Sequence, residues 1–174
     1  MFVRLAGTVK VVYMNTLSSI TAVAILLSGF SSAQDFDIGW AAYRAKDYAS
    51  AIQHWVPLAE QGHSAAQYHV GLLYHNGDGL RQDYERAQFW LRTAAVQGNV
   101  AAQYFLGHMH EMGEGAPQNF GQAHMWYNIA SGNGDVLGGK YRDSIARQMT
   151  AEQVVEAQAM ARECLASGYQ KCGH

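Results

Sequence analysis

The chain has 174 residues, with 12 Lys and Arg against 14 Asp and Glu, a formal charge of −2, 18 glycines and only 2 prolines. That length fits one domain with a real core. The glycine and proline counts fall far short of collagen, and the absence of a basic stripe means that nucleic acid is not expected as a partner.

Residues 1–33 contain Arg4 and Lys10, no acid, and the run ITAVAILLSGF over Ile20–Phe30. A short apolar core followed by Ser31-Ser32-Ala33 reads as a signal peptide cut before Gln34. The run is shorter than the roughly 20 apolar residues of a membrane span, so no stable membrane insertion is expected after cleavage. Either Met1 or Met14 is the start, the second giving a compact leader without either base. Phe30 follows Leu27-Ser28-Gly29 where a lipoprotein would carry Cys, which argues against a lipid anchor. The expected location is periplasmic or secreted. Removing Arg4 and Lys10 leaves ten bases against 14 acids, a formal charge of −4.

The rest of the chain repeats. Residues 64–99 laid over 100–135 pair Ala65 with Ala101, Gln67 with Gln103, Tyr68 with Tyr104 and Gly71 with Gly107. At the same offset Gly77 meets Gly113, Gly79 meets Gly115, Ala87 meets Ala123, Trp90 meets Trp126 and Gly98 meets Gly134. An earlier copy over about 35–63 keeps Asp47, Tyr48, Ala51 and Gly62, but has a tight turn at Ala45–Asp47 in place of a glycine-rich loop.

Each unit reads as helix, loop, helix. In the middle unit the first helix is predicted from about Ser64 to His75, broken by Asn76-Gly77-Asp78-Gly79, and the second from near Asp83 to Val96. Gly71 and Gly107 fall inside predicted helices, where glycine costs about 1 kcal/mol against alanine. That loss is reasonable where a second helix passes close by. Trp90 and Trp126 read as core rather than as a cofactor box.

After Gly138-Gly139 the glycine-rich loop is lost, and MTAEQVVEAQAMARECL follows. Thr150 and Gln153 form a capping box, and Val154, Ala157, Met160, Ala161 and Cys164 or Leu165 share one face of a predicted closing helix over the last repeat. The two cysteines, Cys164 and Cys172, read in an exported chain as a disulfide around Leu165–Lys171. The rival reading, a metal site with His174, lacks a visible fourth ligand.

No nucleophile elbow, Cys-x-x-Cys, His-Glu-x-x-His or phosphate loop occurs. His75, Asp78, His110 and Glu114 recur around the loops, and Glu111 and Glu114 are the best carboxylate pair, but solvated helix ends explain both groups. No catalytic residue, metal ligand or cofactor is expected.

The 36-residue unit resembles the Sel1-like repeat family, a relative of tetratricopeptide repeats. The resemblance rests on Ala65, Gly71, Tyr74, Gly77, Gly79, Asp83, Ala87, Trp90, Ala94-Ala95 and Gly98, and again on Ala101, Gly107, Gly113, Gly115, Ala123, Trp126, Ala130 and Gly134. His110, Ala116 and Ser131 depart from the pattern. The resemblance implies an all-α fold: a short right-handed α/α solenoid of antiparallel helix hairpins with a C-terminal capping helix. Its units would cover about 35–63, 64–99 and 100–135, with the cap at 136–174, all within a repeat domain at 34–174. It also implies an adaptor for a protein or peptide partner in the cell envelope. The cysteine-rich branch of the family has cysteines in every repeat, so its properties are not carried over. By analogy, the concave face would present Tyr43, Tyr68, Leu72, His75, Tyr104, His108 and Glu111. The competing classes are a cell-wall-related hydrolase, which needs a polar cluster in the groove, and a passive structural domain.

Overall fold

The computed structural model describes residues 19–172, with side chains from Ser32. The described residues fall into two units that part between Gln34 and Asp35. The leader expected over residues 1–33 rests partly on residues 1–18, which include both candidate starts and lie outside the described residues, as does His174. Among the described residues no helix is long and apolar enough to cross a membrane.

The described residues form helices α1 (Ser19–Arg44), α2 (Tyr48–Glu60), α3 (Ser64–Asn76), α4 (Tyr84–Ala95), α5 (Val100–Met112), α6 (Phe120–Gly132), α7 (Val136–Ala146) and α8 (Ala151–Ala166). The second unit is an all-α solenoid of paired antiparallel helices that ends in a helix. Within it α3 packs on α4 and α5 on α6, with α2 against α3 and α4 against α5 joining the pairs.

Helix starts follow from local chemistry at repeated positions. Asp47, Asp83 and Asn119 stand 36 residues apart and cap α2, α4 and α6, their side chains accepting from the N–H groups of Ser50, Arg86 and Gln122. His63, Asn99 and Asp135 do the same for α3, α5 and α7. The capping box of Thr150 and Gln153 is formed at α8. The glycine-rich loops are turns, as expected. Gly77 and Gly113 end α3 and α5 in the left-handed conformation, at φ 76° and 75°. A Cβ on Gly79 would meet Tyr48 at 2.6 Å, and one on Gly115 would meet the Tyr84 carbonyl at 2.8 Å, so each loop lies against the start of the preceding unit's second helix.

The mid-helix glycines have the expected cause. A Cβ on Gly71 would fall 2.7 Å from Leu91 Cγ, and one on Gly107 would fall 2.6 Å from the Tyr127 ring. Gly39 in α1 lies against the Trp55 indole in the same way. Trp55, Leu91 and Tyr127 are 36 residues apart, and each is fully buried. The units differ in which large side chain fills the space beside the glycine, but not in leaving that space.

A buried amide ladder joins the units. Gln67 Nε2 donates to the Ala59 carbonyl and Gln103 Nε2 to that of Ala95, both at 3.0 Å. Their Oε1 atoms accept from Gln97 at 2.6 Å and Asn133 at 2.9 Å. At each junction the glutamine gives a helix-end carbonyl a second donor beside the backbone N–H of Gly62 or Gly98. Gly139 stands at the next position of the series, where its Cβ would meet Ser131, and the ladder stops there.

The closing helix covers the last repeat, as expected. Ala157, Ala161 and Cys164 are buried as predicted, while Leu165 is 45% exposed. It packs on α6, and Ala161 and Cys164 join the core made by α4, α5 and α6. The Cys164–Cys172 disulfide is formed and buried. Beyond it the tail returns to α4, where Arg92 Nη2 donates to the Cys172 carbonyl at 2.8 Å. Asn133 also donates to the Tyr169 hydroxyl at 3.1 Å. The tail therefore spans two repeats, while α7 keeps Val136, Leu137 and Tyr141 exposed.

Candidate protein-interaction surface

The first helices α3 and α5 bury one face against their partners through Ala66, Val70, Gly71 and Leu73, and through Ala102, Leu106, Gly107 and Met109. The opposite stripe carries Tyr68, Leu72 and His75 on α3, and Tyr104, His108 and Glu111 on α5, in register at the 36-residue offset. These six and Tyr43 of α1 are all half-buried, neither core nor fully solvated. Three patches follow along the stripe.

The first patch is aromatic. Tyr43 packs on Trp40, Tyr48 and Trp55 with centroids 5.9, 5.6 and 5.5 Å apart. His69 stacks on Trp55 at 4.5 Å and meets the edge of Tyr68 at 5.0 Å. Burial lowers the His69 pKa to about 4, so its imidazole is neutral at pH 7. Burial raises the tyrosines Tyr43 and Tyr68, with Asp78 adding to the rise at Tyr43.

The second patch is polar and joins two units. His75 Nε2 lies 2.9 Å from Glu114 Oε2, and His108 Nδ1 lies 3.8 Å from the same oxygen. Phe105 packs edge-on to His75 at 4.9 Å. Of the loop residues singled out above, His75 and Glu114 do meet across the repeat junction, whereas His110 feels the charge of Arg92 on α4. Glu111 and Glu114 have separate partners, the Tyr127 hydroxyl at 2.7 Å and His75. Among the described residues no group of three or more His, Cys, Asp or Glu is arranged to hold a metal ion.

The third patch is a triangle of tyrosines from three helices. Tyr104 of α5, Tyr127 of α6 and Tyr141 of α7 have ring centroids 5.6 Å apart on every side. Tyr127 is fully buried, and burial followed by its bond to Glu111 pushes its pKa up strongly. Tyr104 is pushed up to about 12 by burial, by its hydrogen bond with Tyr141, and by the nearby Tyr141, Asp135 and Glu111.

The residue reading passed over Trp40, His69, Phe105 and Tyr141. A signal for three of them was present: His69, Phe105 and Tyr141 stand 36 residues apart, one step beyond the Tyr68–Tyr104 column. The column is wholly aromatic but nowhere identical, so a search for identities misses it. Leu72 has no ring or polar contact of its own and stays half-buried between the first two patches.

The Sel1 repeat family model matches residues 64–99 and 100–135. Residues 64–135 are two Sel1 repeats. The protective antigen of uropathogenic Escherichia coli that displays an SLR fold is similar to it, at 27% identity and a TM-score of 0.74, over 79% of this chain and 31% of that one. The chain therefore spans less than a third of that antigen's length. A Sel1 repeat protein from Oxalobacter formigenes is similar at 25% identity and a TM-score of 0.61, over 74% of this chain and 99% of that one. No curated protein matches the chain. Sel1 repeats are typically protein-interaction scaffolds.

Proposed function

We propose that this Sel1-repeat protein is an exported adaptor of the cell envelope whose first-helix stripe receives a peptide or helix from a partner protein. The observation that carries this reading is the register of Tyr68, Leu72 and His75 with Tyr104, His108 and Glu111. The repeat offset sets equivalent, half-buried side chains side by side on α3 and α5. Tyrosines offer large apolar area and a hydroxyl with few torsions to freeze, as interface residues often do. Tyr43 extends the same surface onto α1. The acting part is residues 34–174, freed from the leader at 1–33, and the buried disulfide suits a periplasmic or secreted protein. The partner is neither nucleic acid nor a lipid bilayer that the protein stays inserted in, since the charge is net negative and the stripe is aromatic and acidic.

The test is in-cell crosslinking followed by mass spectrometry on the native protein and on Y68A/Y104A/H108A. The triple variant, folded by circular dichroism, is expected to lose the partners that the native protein recovers. Recovery of the same partners by the folded variant would move the binding surface elsewhere.

A further inference from the structure

We propose that the partner segment is cationic, with a lysine or arginine side chain seated on the Tyr104–Tyr141 rings beside the Glu111 carboxylate. This rests on the groove reading above and specifies the chemistry of its ligand. The tyrosine triangle presents ring faces at a surface, since Tyr104 is half-buried and Tyr141 is 39% exposed. A cation over such a face is attracted by the ring's negative π cloud. Glu111 supplies the counter-charge. Its Oε2 accepts from Tyr127 at 2.7 Å, and among the described residues its Oε1 has no hydrogen-bond partner. The carboxylate is thus held in place while one oxygen is left to accept from a ligand.

The surrounding charge has the same sign. Asp135 and Glu111 oppose ionisation of Tyr104, and Asp78 opposes that of Tyr43 at the other end of the stripe. The nearby bases are mostly committed. His75 faces Glu114 at 2.9 Å, and Arg142 of α7 is held by Asp143 at 2.7 Å and Asn128 at 3.1 Å. Lys140 remains exposed on α7. An acidic segment would meet carboxylates here with little to pair with, whereas a basic one gains both charge pairing and ring contact.

The experiment measures fluorescence anisotropy of labelled nine-residue peptides in which serine alternates with arginine, glutamine or glutamate, titrated with the exported protein. The arginine peptide is expected to bind about tenfold more tightly than the glutamine peptide, as a charge-assisted hydrogen bond implies. Its affinity should fall as salt rises. Glu111→Gln, which can still accept from Tyr127, should weaken the arginine peptide by a similar factor, and Tyr141→Leu should weaken it without touching Glu111. Glu156→Gln, exposed on α8, should leave binding unchanged. No arginine-peptide binding, or equal losses from Glu111→Gln and Glu156→Gln, overturns the proposal. Equal binding of the arginine and glutamine peptides, both lost in Y68A/Y104A/H108A, overturns the charge preference and leaves the groove. Undiminished binding to that triple variant overturns both.

Discussion

Gly107 shows how one missing methyl sets a helix contact. The Tyr127 ring occupies the place of its side chain, so the Gly107→Ala variant must move a fully buried aromatic. The gain in helix propensity is about 1 kcal/mol, while overpacking costs typically 1–3 kcal/mol. A net loss of roughly 1 kcal/mol is expected in urea denaturation, with a similar loss for Gly71→Ala against Leu91. His69 has a different consequence. The unfolded chain protonates this histidine near its ordinary value of 6.5, but the folded chain only near 4. Between those limits the unfolded state binds more protons, so stability is full above about pH 6.5 and falls as pH drops toward 4. The loss is at most about 3 kcal/mol. His110 and His124, both lowered mainly by burial, act in the same direction. The urea midpoint should therefore be lower at pH 4.5 than at pH 7, and His69→Phe should shrink that difference. An unchanged difference would show that His69 is not the group responsible.

Among the elements, the ends of helices were the easiest to foresee, because capping is local. Asp83 and Gly77 need only their neighbours to act, and α3 and α4 lie within a residue or two of their expected bounds. The loop at Gly77–Gly79 is likewise a turn, its glycines serving φ and close approach to Tyr48. The amide ladder was only half visible. The offset paired Gln67 with Gln103, but nothing in a repeat count says that a glutamine will reach back to a carbonyl eight residues earlier. Gln103→Leu removes one of two donors from the Ala95 carbonyl and one of two acceptors from Asn133, which keep the Gly98 N–H and the Tyr169 hydroxyl. A loss of about 1 kcal/mol is expected in the thermal or urea transition. Thr150→Ala, which empties the capping box of α8, should cost about 1 kcal/mol. If the tail alone responds, amide exchange in α8 will quicken while that of α3 stays as it was.

For the whole molecule, the solenoid followed from the repeat, whereas the reach of the tail did not. After α7 the chain has left the 36-residue pattern, so periodicity no longer says what α8 will touch, and its apolar face fits any exposed helix back. The interaction surface was legible where side chains recur, as at Tyr68 and Tyr104, and not where three helices converge, as at Tyr104, Tyr127 and Tyr141. In a repeat protein each unit leans on its neighbours, so terminal elements open first. Native-state amide exchange should find α4, α5 and α6 slowest and α7 faster. Removal of the disulfide by Cys164→Ser with Cys172→Ser should cost about 2 kcal/mol and quicken exchange around Arg92 as well as in the tail. Repeat arrays ordinarily lengthen or shorten by whole units, since any unit can dock on the next. Here the C-terminal strap is cut to a fixed measure, fastened at Cys164 and reaching Arg92 across the intervening hairpin. A further 36-residue copy inserted between α4 and α5 would keep the strap anchored only if it brought its own arginine at the Arg92 position, so the tail reads back the identity of the unit before the last.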